Sequence, residues 1–330
     1  MLAPAPSTAL DPATGRPRFG SYVGEVVDDA IASLEPSWVR RVATHKRWIY
    51  LCTVADGVFV AMAVVDLGYA CNAFALAYRA SEGVLFDRSF VGLPGMGAVT
   101  RDEHRRVHAR FRHPKARFVV DWPRDRSTLQ AEATFGSIAV QLRLDGDAAP
   151  PPLTAIAAIE GGRVNVTEKR ALQPTQGTLR IGDRELSLNE GLGGIDYTHG
   201  LLARHTAWRW AFLLGTTTTG MAIGMNLVEG FVGEPECGLF VGRRVLPLRE
   251  GRFTWRHDDP MQPWRVTTAD GAVDLTFTPG GMHAERRNLG IVRSRFVQPM
   301  GSFAGTIRVE DEVHEIGRAL GVVEDQDVHW

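Results

Sequence analysis

From residue 47 onward the apolar and polar positions alternate with the period of β-strands. Residues 47–54 and 57–65 are β-branched and aromatic runs separated by Ala55-Asp56-Gly57, and Asp-Gly between such runs is the strongest short hairpin signal. Similar runs recur at 73–78, 83–90, 107–111, 117–121, 130–135 and 138–144. They resume at 178–181, 207–214, 221–228, 239–241, 252–257, 273–278, 292–298, 305–310 and 312–320. This spacing suits antiparallel sheets and barrels rather than βαβ units. Ahead of the strands, residues 1–20 read as a flexible, proline-rich arm. Residues 23–34 carry the spacing of one modest helix with Asp28 and Asp29 in its middle. The proline-dense stretch 147–153 suggests a division into an N-terminal barrel-like domain, 21–150, and a C-terminal one, 151–330. The expected fold is all-β: two antiparallel barrels or strongly curved sheets packed side by side.

A faint internal echo fits that picture. Trp48-Ile49-Tyr50 leads through Asp56-Gly57 into an apolar run, and Trp208-Arg209-Trp210 leads through Gly220 into another.

Composition narrows the function classes. The chain of 330 residues has 37 Lys and Arg against 38 Asp and Glu, a net charge of −1, which argues against a nucleic-acid binder. Its 44% apolar and 23% charged residues are those of a globular protein. The 3 cysteines, Cys52, Cys71 and Cys237, form no Cys-x-x-Cys pair, so neither a disulfide scaffold nor a zinc ribbon is expected. Residues 1–20 lack an apolar leader, and the run 58–65 is far shorter than the roughly 20 residues of a spanning helix. A cytoplasmic protein without stable membrane insertion is expected, its oligomeric state left open.

Familiar catalytic signatures are missing: no Gly-x-Ser-x-Gly elbow, no phosphate-binding Gly-x₄-Gly-Lys loop, no His-Glu-x-x-His pair. Residues 92–97 are a glycine-rich loop without dinucleotide spacing. No cofactor and no metal is therefore expected. The basic stretch 101–117 reads as a solvated strand face, because Val107, Ala109 and Phe111 alternate with His108, Arg110 and Arg112.

One stretch is dense in groups that can act together. Gly191, Gly193 and Gly194 permit a sharp bend ahead of Asp196, Tyr197 and His199, and Trp208 and Trp210 follow on one strand face. Asn226 interrupts an apolar run, as a core amide or a pocket donor would. A carboxyl in an apolar, aromatic pocket keeps its proton because desolvation disfavours its charged form. Such an acid can protonate an alkene, enol or carbonyl, and aromatic faces can stabilise the positive charge that results. The competing reading is structural, with Asp196 capping local amides and both tryptophans in the core.

These residues resemble the domain of unknown function 2804 family over most of the chain. The shared landmarks are residues 46–50, 65–69, 167–169, 195–200, 208–210, 224–227, 263–264, 273–279, 301–305, 321–324 and Trp330. One departure is Glu236-Cys237, where the family pattern has Glu-Asn. The family is similar in turn to lipocalin-like double barrels that include carotenoid hydratases and fungal pericyclases. Those proteins share an Asp-x-x-x-Gly followed by Trp-x-Trp, matched here by Asp196, Gly200, Trp208 and Trp210. Their histidine after the aspartate is Tyr197 here, with His199 two residues on. The resemblance implies acid–base chemistry on an apolar molecule: a cofactor-independent hydratase, isomerase or cyclase (a lyase or isomerase) with a lipophilic substrate in a cleft between barrels. Asp196 would be the acid and Tyr197 or His199 its partner. Trp208 and Trp210 would form the wall, and Lys169, Asn226 and Glu236 would supply polar contacts. The alternative is a non-catalytic carrier of fatty, terpenoid or steroid-like ligands, or a purely structural module if side chains fill the cavity.

Overall fold

The hairpin signal at Asp56-Gly57 is realised in the computed structural model, which describes residues 2–160, 163–288 and 293–330. His45–Ala55 pairs with Val58–Asp66, and both turn residues have positive φ, 46° and 72°, as a type I′ turn demands. Around this hairpin grows the first sheet. Its path runs Gly83–Gly92, Cys71–Arg79, Val58–Asp66, His45–Ala55, Gly191–Leu201, Arg163–Ile181, Ile138–Asp145, Thr128–Phe135, Ala116–Pro123, Arg105–His113 and Gly97–Thr100. This sheet curls into a nearly closed barrel around Ile49, Leu51, Val60, Met62, Phe111, Phe118 and Tyr197.

The second sheet is a half-barrel. Its order is Arg244–Pro247, Gly238–Val241, Ala222–Gly230, His205–Thr217, Glu312–His329, Arg293–Val309, Val273–Asn288, Trp264–Thr268 and Gly251–Thr254. Val292, the first residue of one expected strand, lies outside the described residues. The expected all-β architecture of two curved antiparallel sheets side by side is what forms. One apolar cluster spans the interface and the second sheet, from Tyr50, Phe59 and Phe74 to Trp210, Phe240 and Phe277.

Three expectations change. The chain passes from first to second sheet between Leu201 and His205, not at the proline-rich stretch. Leu153–Ile159 and Arg163–Ile181 complete the first sheet, so residues 151–201 belong with the N-terminal barrel. The arm is packed rather than loose: Ala3 and Pro4 pair with Tyr22 and Val23, and Ala9 is fully buried. The expected helix at 23–34 is reduced to a 3₁₀ turn, Ile31–Leu34, and the α-helix is Trp38–Thr44, its N-terminus capped by Ser37 accepting from Arg40 N–H. Residues 25–29 carry Glu25 and Asp29 into ion pairs of the barrel instead.

Gly191, Gly193 and Gly194 also act otherwise than expected. They lie in the continuous strand Gly191–Leu201 and form no bend. A Cβ on Gly194 would meet the Phe212 ring at 2.3 Å, so its glycine lets the two sheets approach at this crossing.

Candidate functional site

Strand alternation decides which side chains can meet. Along Gly191–Leu201, Ile195 and Tyr197 point into the first barrel, whereas Asp196 and Thr198 face the second sheet and line a cavity. Tyr197 and His199 therefore do not partner Asp196. The Tyr197 hydroxyl donates to Asp29 at 2.7 Å, and His199 Nδ1 lies 3.3 Å from Asp29 and its Nε2 2.6 Å from His45. Neither residue lines the cavity among the described residues. Burial holds His199 below the usual imidazole value, and burial followed by the Asp29 charge raises the Tyr197 phenol well above its own.

The neighbouring strand repeats this division. Glu168 and Arg170 face the barrel side, where Glu168 pairs with Arg101 at 3.0 Å and Arg170 at 2.6 Å. Glu25 adds pairs with Arg106, Arg124 and Arg170. Arg101 thus leaves the expected solvated face and lies buried, while Arg110 and Arg112 stay exposed as expected.

Lys169 faces the cavity. Its ammonium sits 2.6 Å from Asp196 and 3.1 Å from Glu236, all three side chains buried. Burial works against the Lys169 charge, but the two carboxylates outweigh it and hold the ammonium above the usual lysine value. Burial raises the Glu236 carboxyl, Lys169 opposes this, and the Asp196 charge adds to the rise.

A third buried carboxyl, Glu324, lies on the second sheet's wall of the same cavity. Trp208 Nε1 donates to one oxygen at 2.7 Å and Gln298 Nε2 to the other at 2.6 Å. Burial pushes this carboxyl up to about 7, against the pull of both donors. Tyr50 also lines the cavity, and its buried hydroxyl has no hydrogen-bond partner among the described residues.

The aromatic wall comes from both halves of the sequence echo. Trp48 stacks near-parallel to Trp208 at 6.1 Å, and Tyr50 meets Trp210 edge-on at 5.3 Å. Asn226 is a core amide: its Oδ1 accepts from Trp210 Nε1 at 2.7 Å, and its Nδ2 donates to the Glu236 carbonyl at 2.7 Å. It orients two cavity residues without lining the cavity itself. The cavity volume is about 230 Å³.

The structure thus brings Lys169, Asp196, Trp208, Trp210 and Glu236 together around one space, and adds Glu324, Tyr50, Trp48 and Gln298, which sequence reading did not name, to its lining. The available signal for Glu324 was an acidic residue directly after the apolar pair Val322-Val323, opposite Trp210 in the sheet register. Away from the cavity, His205, Asp327 and His329 hold ligating atoms within 4.8 Å of one another at the surface. Asp327 and His329 lie on the opposite face of their strand from the cavity-lining Gln326 and Val328, and His205 is paired with His329 on the neighbouring strand. Among the described residues no helix is long and apolar enough to cross a membrane.

A family model described as domain of unknown function, DUF2804, matches residues 7–330. No curated protein sequence matches the chain. Among solved structures, the chain is similar to CghA in complex with Sch210972, with 13% identity, a TM-score of 0.55 and coverage of 87% of this chain and 89% of that one. It is also similar to kievitone hydratase from Nectria haematococca, with 12% identity, a TM-score of 0.52 and coverage of 94% and 98%. At these identities what is shared is the lipocalin-like double-barrel fold.

Proposed function

The chain belongs to the DUF2804 family, and we propose that it is a cofactor-independent acid–base enzyme of hydratase, isomerase or cyclase type, acting on a lipophilic small molecule between the two sheets. The observation that carries this reading is Glu324, a carboxyl held near pH 7 by burial in the wall of an aromatic cavity, where its hydrogen-bond donors among the described residues, Trp208 and Gln298, are neutral. Asp196, which shares the Lys169 ammonium at 2.6 Å, is the complementary group. Glu324 gives its proton to an alkene, enol or carbonyl of the substrate, forming the new C–H or O–H bond. The electron-poor carbon left behind faces Trp208, Trp210 and Tyr50. Water then adds, or a neighbouring C–H bond is lost, and Asp196 takes the released proton. That proton returns to Glu324, so no oxidant or reductant is consumed.

Because Tyr197 and His199 face the barrel, they are positioning and packing residues in this scheme. One observation favours the carrier reading instead: both Glu324 oxygens already accept hydrogen bonds, as a purely structural carboxyl's would.

The test starts from protein purified from a lipid-rich host, with any bound lipophile identified by mass spectrometry of the organic extract. The identified compound is then incubated with the protein in D₂O. Acid–base turnover incorporates solvent deuterium, and Glu324→Gln slows incorporation by at least about 100-fold while binding persists. Stoichiometric binding without incorporation by the wild type leaves the carrier reading.

A further inference from the structure

The charges around the cavity are unequal, and this bears on what can enter it. Arg287 and Glu285 pair with one another at 2.6 Å, and His283 Nδ1 lies 2.7 Å from Asp87. What remains is one ammonium, Lys169, facing three carboxyls, Asp196, Glu236 and Glu324. Lys169 is engaged by two of them, at 2.6 and 3.1 Å. An anionic head group could reach it only by displacing Asp196 or Glu236, leaving that carboxylate buried and unpaired. The tryptophan and tyrosine faces add the negative side of their quadrupoles to the same wall.

Among the lining residues, the Tyr69 hydroxyl, Asn72 Oδ1 and His283 Nε2 have no hydrogen-bond partner among the described residues. The same holds for the buried Tyr50 hydroxyl and for Gln298 Oε1. The Tyr50 hydroxyl donates to a neutral oxygen, and the Gln298 amide oxygen accepts from a hydroxyl or an ammonium. The volume of about 230 Å³ exceeds the roughly 150 Å³ of an apolar cavity that holds benzene, which suits a bicyclic group.

We propose that this cleft takes lipophiles whose polar end is neutral or cationic and rejects lipophilic carboxylates, so that free fatty acids and aromatic acids are not its ligands. The inference rests on the cleft being the ligand site, and it narrows the substrate class of that site. It also fits the chemistry suggested above, because a wall that prefers a cation stabilises positive charge developing on a neutral substrate.

The experiment is a calorimetric titration of the whole protein at pH 8 with three probes on one frame: 2-naphthylmethylammonium, 2-naphthylmethanol and 2-naphthoate. The ammonium binds tightest and the alcohol next, with the carboxylate at least about tenfold weaker than the alcohol, since unfavourable like-charge contacts readily cost that much. Removing one negative charge with Glu324→Gln, or with Asp196→Asn if the first variant fails to fold, narrows the span between ammonium and carboxylate several-fold. Carboxylate binding as tight as that of the alcohol, an unchanged span in a folded variant, or no binding by any of the three overturns the proposal. The readout needs no turnover. Binding in the stated order without deuterium incorporation keeps this inference and removes the enzymatic one, and the reverse pattern does the opposite.

Discussion

Arg163–Ile181 and Gly191–Leu201 lie side by side and bury ionised groups on both faces, yet the two faces are compensated very differently. On the barrel face, Glu168 meets two arginines, and Glu25 draws Arg106, Arg124 and Arg170 around it. On the cleft face, among the described residues, the Lys169 ammonium serves both Asp196 and Glu236, and the hydrogen-bond donors to Glu324 are neutral. Glu168 and Arg170 alternate with Lys169 along one strand and all three are buried, so burial does not separate structure from site. Compensation does. A buried charge surrounded by counter-charges holds a fold together, whereas a shortage of counter-charge beside a cavity leaves groups able to exchange protons and discriminate guests.

The largest expected effect is on the barrel face. Arg101→Gln leaves Glu168 with Arg170 alone and takes the guanidinium off the Tyr197 ring, and it costs about 3 kcal/mol in urea unfolding, because a buried ion-pair network loses a cation. Binding of the naphthyl probes by the folded fraction is unchanged. Asp196→Asn also leaves Lys169 a second partner, Glu236, but it relieves the like charges of Glu236 and Glu324 as well, so it costs only about 1–2 kcal/mol and alters probe binding. Equal stability losses with equal binding changes would erase the distinction between the faces.

Next comes the pH dependence. Glu324 is raised from 4.5 to about 7, so between those values the folded protein holds a proton that the unfolded chain has released. Stability therefore falls as pH rises through this window, by roughly 2–3 kcal/mol, and Glu324→Gln removes that loss. Thermal melts of both proteins at pH 5 and pH 8 measure it. A loss of the same size in Glu324→Gln would remove the effect from this residue.

The barrel face has the opposite slope. Burial, then the charges of His199, Arg47 and Lys46, hold His45 down from 6.5 to about 3. The unfolded chain binds the extra proton in that window, so this contribution is lost as pH falls from 6.5 toward 3, and His45→Gln flattens the decline in melting temperature. The smallest effect tests the seam between the sheets. A double-mutant cycle on Trp48→Leu and Trp208→Leu gives a coupling of about 0.5–1.5 kcal/mol for the stacked pair. Zero coupling would mean that the two halves of the sequence echo do not support one another.

The alternating runs made the sheets legible, because one apolar face per strand leaves a period of two. The strand through Thr167-Glu168-Lys169-Arg170 was not, since both of its faces are buried and its polar residues are satisfied by partners far away in sequence, such as Arg101 and Glu236. Asp196 was legible as a candidate from its aromatic company, and it lines the cavity. Its assumed partners Tyr197 and His199 failed because nearness in sequence on a strand sends successive side chains to opposite faces. Glu324 needed the pairing of His205–Thr217 with Glu312–His329, which no local pattern carries.

The most direct measurement is an infrared pH titration of the protonated carboxyl C=O stretch, with Glu324→Gln as the difference reference. A band absent from the variant, titrating with a midpoint near 7 and moving lower in Asp196→Asn, is the predicted result. A Glu324 band titrating near the ordinary carboxyl value of 4.5 would contradict the account, because the cleft would then hold no group poised to give a proton at neutral pH.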